Sequence, residues 1–130
     1  MKHFILISIY LFSASLCIAQ TNADLLVKEG VTLFDNGRYE EALGKYNAAL
    51  AIDKDHYLAN YEKAYTLISL KRYEESLTLS KYILTNFPDG SDNMAVYVNY
   101  GTCLDYLGKA DEAIAKYDEG IRKYPDTCHN

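Results

Sequence analysis

Apolar and small residues recur along the chain at helical spacing, and the pattern is repeated three times. One run is Tyr39, Ala42, Leu43, Tyr46, Ala49 and Leu50; a second is Tyr73, Ser76, Leu77, Ser80, Ile83 and Leu84; a third is Ala110, Ala113, Ile114, Tyr117, Gly120 and Ile121. Steps of three, one, three, three and one residues trace a single face of an α-helix. Each run is preceded by a second stripe: Leu26, Gly30 and Leu33; then Ala64 and Leu67; then Tyr97, Tyr100, Gly101 and Leu104. The predicted unit is therefore a helical hairpin. Gly37, Lys71 and Gly108 occupy matching places in the joints, which sets the units 34 and 37 residues apart. A fixed period of this size marks a stacked array, because one hairpin cannot bury both of its faces alone.

Punctuation along the chain agrees with the pattern. Gly37 and Gly108 stop the first helices, and Pro88 and Pro125 lie where second helices must end. Gly30, Ala64 and Gly101 are small where two helices approach closely. Three additional residues, Ser91–Asp92–Asn93, separate the second and third units and read as slack. The pairs Glu40–Glu41, Glu74–Glu75 and Asp111–Glu112 stand in the first turn of each second helix. There a carboxylate complements the helix dipole by about 0.3–1 kcal/mol, so their recurrence is structural rather than catalytic.

The first twenty residues, MKHFILISIYLFSASLCIAQ, differ from the rest. Lys2 precedes an apolar run from Phe4 to Leu16, and Cys17 and Ala19 flank Ile18 just before Gln20. This is the pattern of a secretory signal cut between residues 19 and 20. The run falls short of the ~20 residues that a membrane span takes, so no stable span is expected after cleavage. Bulky Leu16 stands where a lipid-attachment box around Cys17 would need a small residue. Export to a bacterial periplasm or secretion is the expected location. The expected organisation is a signal peptide at 1–19, an array at 20–127 with units near 23–56, 57–90 and 94–127, and a tail at 128–130.

Composition narrows the partners. At 130 residues, with 49% hydrophobic and 24% charged residues, the chain has room for one modest core. The net charge of −5 argues against nucleic acid, which needs a clustered basic surface. Without residues 1–19, Cys103 and Cys128 are the only cysteines. Export permits a disulfide between them, but a buried helical Cys103 and a loose terminal Cys128 is the simpler reading. The same portion holds only His56 and His129, with no Cys-x-x-Cys, glycine-rich phosphate loop or His-x-x-x-His. A non-enzymatic protein without a cofactor or metal is expected.

These hairpins resemble the tetratricopeptide repeat. Gly30, Leu33, Gly37, Tyr39, Ala42, Tyr46 and Ala49 carry the likeness in the first unit, and Tyr97, Gly101, Leu104, Gly108, Ala113, Tyr117 and Pro125 in the third. The second unit fits through Ala64, Leu67, Tyr73, Ile83 and Pro88, but has Ser76 and Ser80 where alanine and an aromatic are usual. The resemblance covers about residues 23–127. It implies an all-α, right-handed α–α superhelix of three tandem helix–turn–helix repeats, whose first helices line a concave groove for a peptide or partner protein. By that likeness the groove holds Val27, Val31 and Phe34, then Tyr61, Tyr65 and Ile68, then Val98, Thr102, Asp105 and Tyr106. Members that clamp an acidic C-terminal tail place basic and amide side chains in the groove. The matching positions here are Val27, Val31, Glu62, Ala95 and Asn99, so such a tail is not the expected ligand.

Two features leave alternatives open. Asn60 and Lys63 stand where the family buries large apolar groups, and the stripe runs instead through Tyr57, Tyr61, Ala64, Tyr65 and Ile68. Either that helix is rotated and its tyrosines are core, or they form an aromatic ledge for a partner. The last hairpin, through Tyr117, Ile121 and Tyr124, offers a second surface. Self-association there, as a structural homo-oligomer, is the alternative to ligand binding in the groove.

Overall fold

Each hairpin is closed by the same turn. The computed structural model describes the backbone of residues 2–125 and the side chains of Ile18 and residues 20–125. Six helices run in order: α1 Lys2–Asp35, α2 Tyr39–Ile52, α3 Tyr57–Ser69, α4 Tyr73–Asn86, α5 Asn93–Tyr106 and α6 Ala110–Lys123. At the end of α1 the Gly37 N–H donates to the Phe34 carbonyl and the Arg38 N–H to the Leu33 carbonyl. Lys71 and Arg72 repeat this on Ile68 and Leu67, and Gly108 and Lys109 on Asp105 and Leu104. This crossed pair of bonds satisfies carbonyls that a helix end would leave bare, and it needs a left-handed residue. Gly37 and Gly108 supply one at φ 73° and 78°; Lys71 adopts φ 59° with a full side chain.

The turn also starts the second helix. Arg38 and Arg72 precede α2 and α4 and hold Glu41 and Glu75 three residues on, with Nε–Oε1 at 2.7 and 2.6 Å. Lys109 reaches Glu112 at 3.6 Å. One member of each acidic pair thus meets a cation at the cap, in a region where the helix dipole already favours it.

Packing within the hairpins explains the small residues. A methyl group on Gly30 would lie 2.5 Å from the Tyr46 ring, and one on Gly101 would collide with the Tyr117 ring. The glycines are therefore the room the tyrosines occupy. In the second hairpin, Ala64 and Ser80 hold the equivalent places, and both are fully buried. Ser76 Oγ donates to the Ala64 carbonyl at 2.8 Å, tying α4 to α3. Ala23, Val27, Ala42, Tyr46, Ala49 and Ala59 form a core around the first hairpin, and Ala64, Ile83 and Val96 one between the second and third. Consecutive helices pack in turn, and α1 also touches α3 as α3 touches α5. The result is an all-α helical repeat superhelix with the first helices side by side on one face; among the described residues there is no strand.

The connection read as slack is tied down. Asn93 is 1% exposed, and its Nδ2 donates to the carbonyls of Phe87 and Pro88 at 2.7 and 3.0 Å. Its Oδ1 accepts from the Tyr57 hydroxyl at 3.2 Å, and that hydroxyl accepts from the Asp92 N–H. A side chain on Gly90 would collide with the Tyr57 ring. Asn93 is therefore a buried polar hub that joins α3, α5 and the loop, with Ser91 and Asp92 exposed beside it.

At the N-terminal end α1 runs unbroken across the junction of residues 19 and 20. The signal and lipid-box readings rest largely on side chains outside the described residues, Cys17 and Ala19 among them. No helix of the described residues is long and apolar enough to cross a membrane. Cys103 is fully buried, and burial pushes its thiol pKa up. Cys128, and with it the pairing that export would permit, and the segment 128–130 lie outside the described residues.

Candidate functional site

The face formed by α1, α3 and α5 carries most of the residues expected to line a groove. Tyr65, Val98 and Tyr106 are 43%, 41% and 64% exposed, large values for apolar or aromatic side chains. Asp105 is exposed, and Val31, Phe34, Tyr61, Ile68 and Thr102 are half-buried. Rings run across the face: Phe34 lies 5.0 Å from Tyr39 and 5.3 Å from Tyr65. Tyr106 stacks on Tyr73 at 4.5 Å with the rings 4° from parallel. Ring pairs at these separations attract one another beyond their buried area.

Val27 departs from the expectation. It is 2% exposed, packed in the core with Ala23 and Ala59. The first turn of α3 covers it, and a contact invisible to local pattern holds that turn in place. His56 Nε2 lies 2.7 Å from Asp24 Oδ1 of α1, while its Nδ1 accepts from the Ala59 N–H. Since Nδ1 accepts, the proton sits on Nε2 and is donated to Asp24. His56 is thus the N-cap of α3 and its strap to α1. Nothing in the local spacing around His56 signals this contact, which spans 32 residues.

The question of the middle tyrosines resolves residue by residue. Asn60 keeps the core position, 3% exposed, with Nδ2 donating to the Lys54 and His56 carbonyls at 3.1 Å each. The helix is therefore not rotated. Tyr57 and Tyr61 pack against the second core, and Tyr65 stands out as the ledge. Desolvation pushes the Tyr57 hydroxyl up to about 12 and the Tyr61 hydroxyl upward as well.

One carboxylate of α3 has acidic neighbours. Glu62, half-buried on α3, has its pKa raised first by burial, then by the carboxylates of Asp35 and Asp92. Burial also pushes Tyr46 up to about 12, with Glu62 adding to the shift. A separate hollow of about 610 Å³ opens between α3 and α4, lined by Asn60, Lys63, Leu67, Leu79 and Tyr82 among others. It contains none of the expected groove residues.

The last hairpin is arranged differently from the expectation. Tyr117 is half-buried against Gly101, its hydroxyl 3.4 Å from Thr102 Oγ1. Tyr124 turns back to the loop, donating to the Pro88 carbonyl at 3.1 Å and accepting from Asn93. Both are held inward by polar partners and do not form an outer face. Ile121 does lie outward, 46% exposed, and so does Ile114 at 58%. Ile114 was legible in the stripe as the counterpart of buried Leu43, but exposure at that position is decided by the packing between hairpins and not by the stripe.

Comparison with known proteins agrees with this geometry. Tetratricopeptide repeat patterns match residues 27–91 and 95–127. A DnaJ homolog subfamily C member 7 homolog of Schizosaccharomyces pombe is 33% identical over 101 residues, covering 72% of this chain and 18% of its own length. The chain thus spans less than a fifth of that relative. The second tetratricopeptide domain of Spaghetti (RPAP3), solved bound to the HSP90 peptide SRMEEVD, superposes with a TM-score of 0.71 at 22% identity, covering 78% of this chain and 92% of that one. The Arabidopsis OM64 domain gives 0.76 at 14% identity, covering 82% and 86%. At these identities the structural likenesses carry the fold.

Proposed function

The chain belongs to the tetratricopeptide repeat family, and from that premise we propose that it is a non-enzymatic interaction module that holds a peptide or a segment of a partner protein on the face of α1, α3 and α5. The observation that carries this reading is the exposure of Tyr65, Val98 and Tyr106 on the inner helices. Aromatic and apolar side chains left in water on a rigid concave scaffold are the anchors that partner surfaces use. That a solved relative of the same fold holds an HSP90 peptide supports the general mode and leaves the ligand of this chain to its own groove chemistry. A location outside the cytoplasm is part of this proposal, and the N-terminal signal-like pattern supports it.

The test is to pan a random-peptide phage library over the immobilised full chain and over a Tyr65→Ala/Val98→Ser variant of equal helicity by circular dichroism. Both side chains are well exposed, so the fold should tolerate the change. Peptides enriched on the parent and lost on the variant are the expected result. Equal recovery on both, or none on either, would refute the groove as the binding site.

A further inference from the structure

Several glutamates meet a cation, and half-buried Glu62 meets none. Glu41, Glu75, Glu112 and Glu119 each meet a cation on their own helix or its cap, and Glu29 meets Lys45. Glu62 lies deeper than Glu41, Glu75, Glu112 or Glu29. Yet among the described residues it has neither a cation nor a hydrogen bond. Its electrostatic neighbours are Asp35, at the end of α1, and Asp92, beside the start of α5. Glu62 thus stands on α3 within electrostatic reach of acids on both flanking sides, with the Tyr46 and Tyr61 phenols also near. Removing a carboxylate from water without a partner is unfavourable, and adding two like charges makes it more so. Carboxylates perturbed in this way cluster at functional sites.

A second orphan stands one unit along. Asn99 holds on α5 the place that Glu62 holds on α3, 37 residues earlier, which is the spacing of those units. It is 6% exposed, and its Nδ2 has no hydrogen-bond partner. A buried amide donor without an acceptor is as unusual as a carboxylate without a cation. Between and beside these two positions lie the Phe34–Tyr65 ring pair and exposed Val98. The inner face thus offers an unmet negative charge and an apolar floor, with an unpartnered amide donor buried beside them.

We propose that the groove takes a lysine- or arginine-bearing peptide segment of a partner protein, with its cation against Glu62 and an apolar neighbour on Phe34 and Tyr65, above the buried and unpartnered Asn99 amide. This deepens the binding reading above and rests on it. The chemistry is opposite to that of the acidic peptide SRMEEVD held by the solved relative. Binding of this kind weakens as salt rises, because the screening length shortens to ~8 Å at physiological ionic strength.

Panning the random-peptide library over the full chain, its Glu62→Gln variant and the Tyr65→Ala/Val98→Ser variant separates the two proposals. Parent-specific peptides should be enriched in lysine and arginine, and Glu62→Gln should bind the best of them about tenfold more weakly, one charge pair's worth. In thermal melts without peptide the same Glu62→Gln protein should be more stable than the parent, which rules out misfolding as the cause. Peptides that depend on Tyr65 and Val98 but lack basic residues, or that Glu62→Gln holds equally well, would overturn the basic-ligand proposal and leave the groove standing. Recovery indifferent to Tyr65 and Val98 would sink both. Synthetic SRMEEVD is the counter-probe: binding as tight as that of the selected peptides would also refute the charge preference.

Discussion

In the first and third hairpins a glycine of one helix faces a tyrosine ring of the other; in the middle hairpin alanine and serine stand at those places. The volume is shared out differently, and the helices still close. The middle hairpin departs elsewhere too. Its turn uses Lys71 where its neighbours use glycine, and its core position 60 is an asparagine. The outer hairpins keep the common solution, and the middle one trades standard packing for polar contacts: Ser76 on the Ala64 carbonyl, Asn60 on two loop carbonyls. The same hairpin carries Glu62 and Tyr65 on its inner face. A repeat fold tolerates this because each unit answers mainly to its neighbours, so one unit can diverge if its own volume and hydrogen bonds are made good.

The strongest way to break the comparison is to impose the middle solution on the first hairpin. Tyr46→Ser removes a fully buried ring and should cost about 3–5 kcal/mol in urea unfolding. Adding Gly30→Ala to that variant should recover part of the loss, on the order of 1 kcal/mol, because the methyl enters the emptied space. No recovery would mean the two hairpins are not volume-matched alternatives. Gly30→Ala alone, driven into the Tyr46 ring, should instead destabilise by about 1–3 kcal/mol.

The strap between hairpins comes next. His56→Ala removes the cap of α3 and the bond to Asp24, and a loss of about 1–2 kcal/mol is expected from thermal or chemical melts. A change near zero would assign the position of α3 to apolar packing alone. Smaller still is the turn. Lys71→Gly should stabilise the chain by about 1 kcal/mol by relieving the left-handed backbone, whereas Gly108→Ala should lose about as much. Equal effects of one sign at the two sites would show the turns to be unlike.

Acid titration sharpens the comparison at its finest level, with opposite signs in two hairpins. Glu119 accepts from Lys116, Tyr97 and Lys123, led by the Lys116 contact, and is held down to about 2 against an ordinary value of 4.5. Its folded pKa is depressed, so its contribution is present above pH 4.5 and is lost as pH falls towards 2. The Glu62 pKa is raised, so ionising it opposes folding; its favourable part holds below 4.5 and disappears as pH rises through the shifted value. Partial exposure keeps the Glu119 effect to about 1 kcal/mol or less. Glu119→Gln should flatten the acid limb of the stability–pH curve, and Glu62→Gln should lift the neutral plateau. If the two variants shift the curve the same way, the groove carboxylate is not strained.

The period and its stripes carry local information, and local information sufficed for the hairpins, their turns and the inner helices. Gly30, Ala64 and Gly101 were recognisable as close approaches, because a small residue in a recurring apolar stripe has few other uses. Helical register also comes from spacing, so the sequence determined which residues share a stripe. What it could not supply were contacts between residues far apart in the chain. His56 with Asp24, Tyr57 with Asn93 and the burial of Val27 beneath α3 all arise from how one hairpin seats on the next. The inward turn of Tyr124 and the isolation of Glu62 between Asp35 and Asp92 have the same origin. Stacking angle and neighbour identity are tertiary quantities, and they alone decide whether an apolar position is core or ledge and whether a carboxylate meets a cation or another carboxylate.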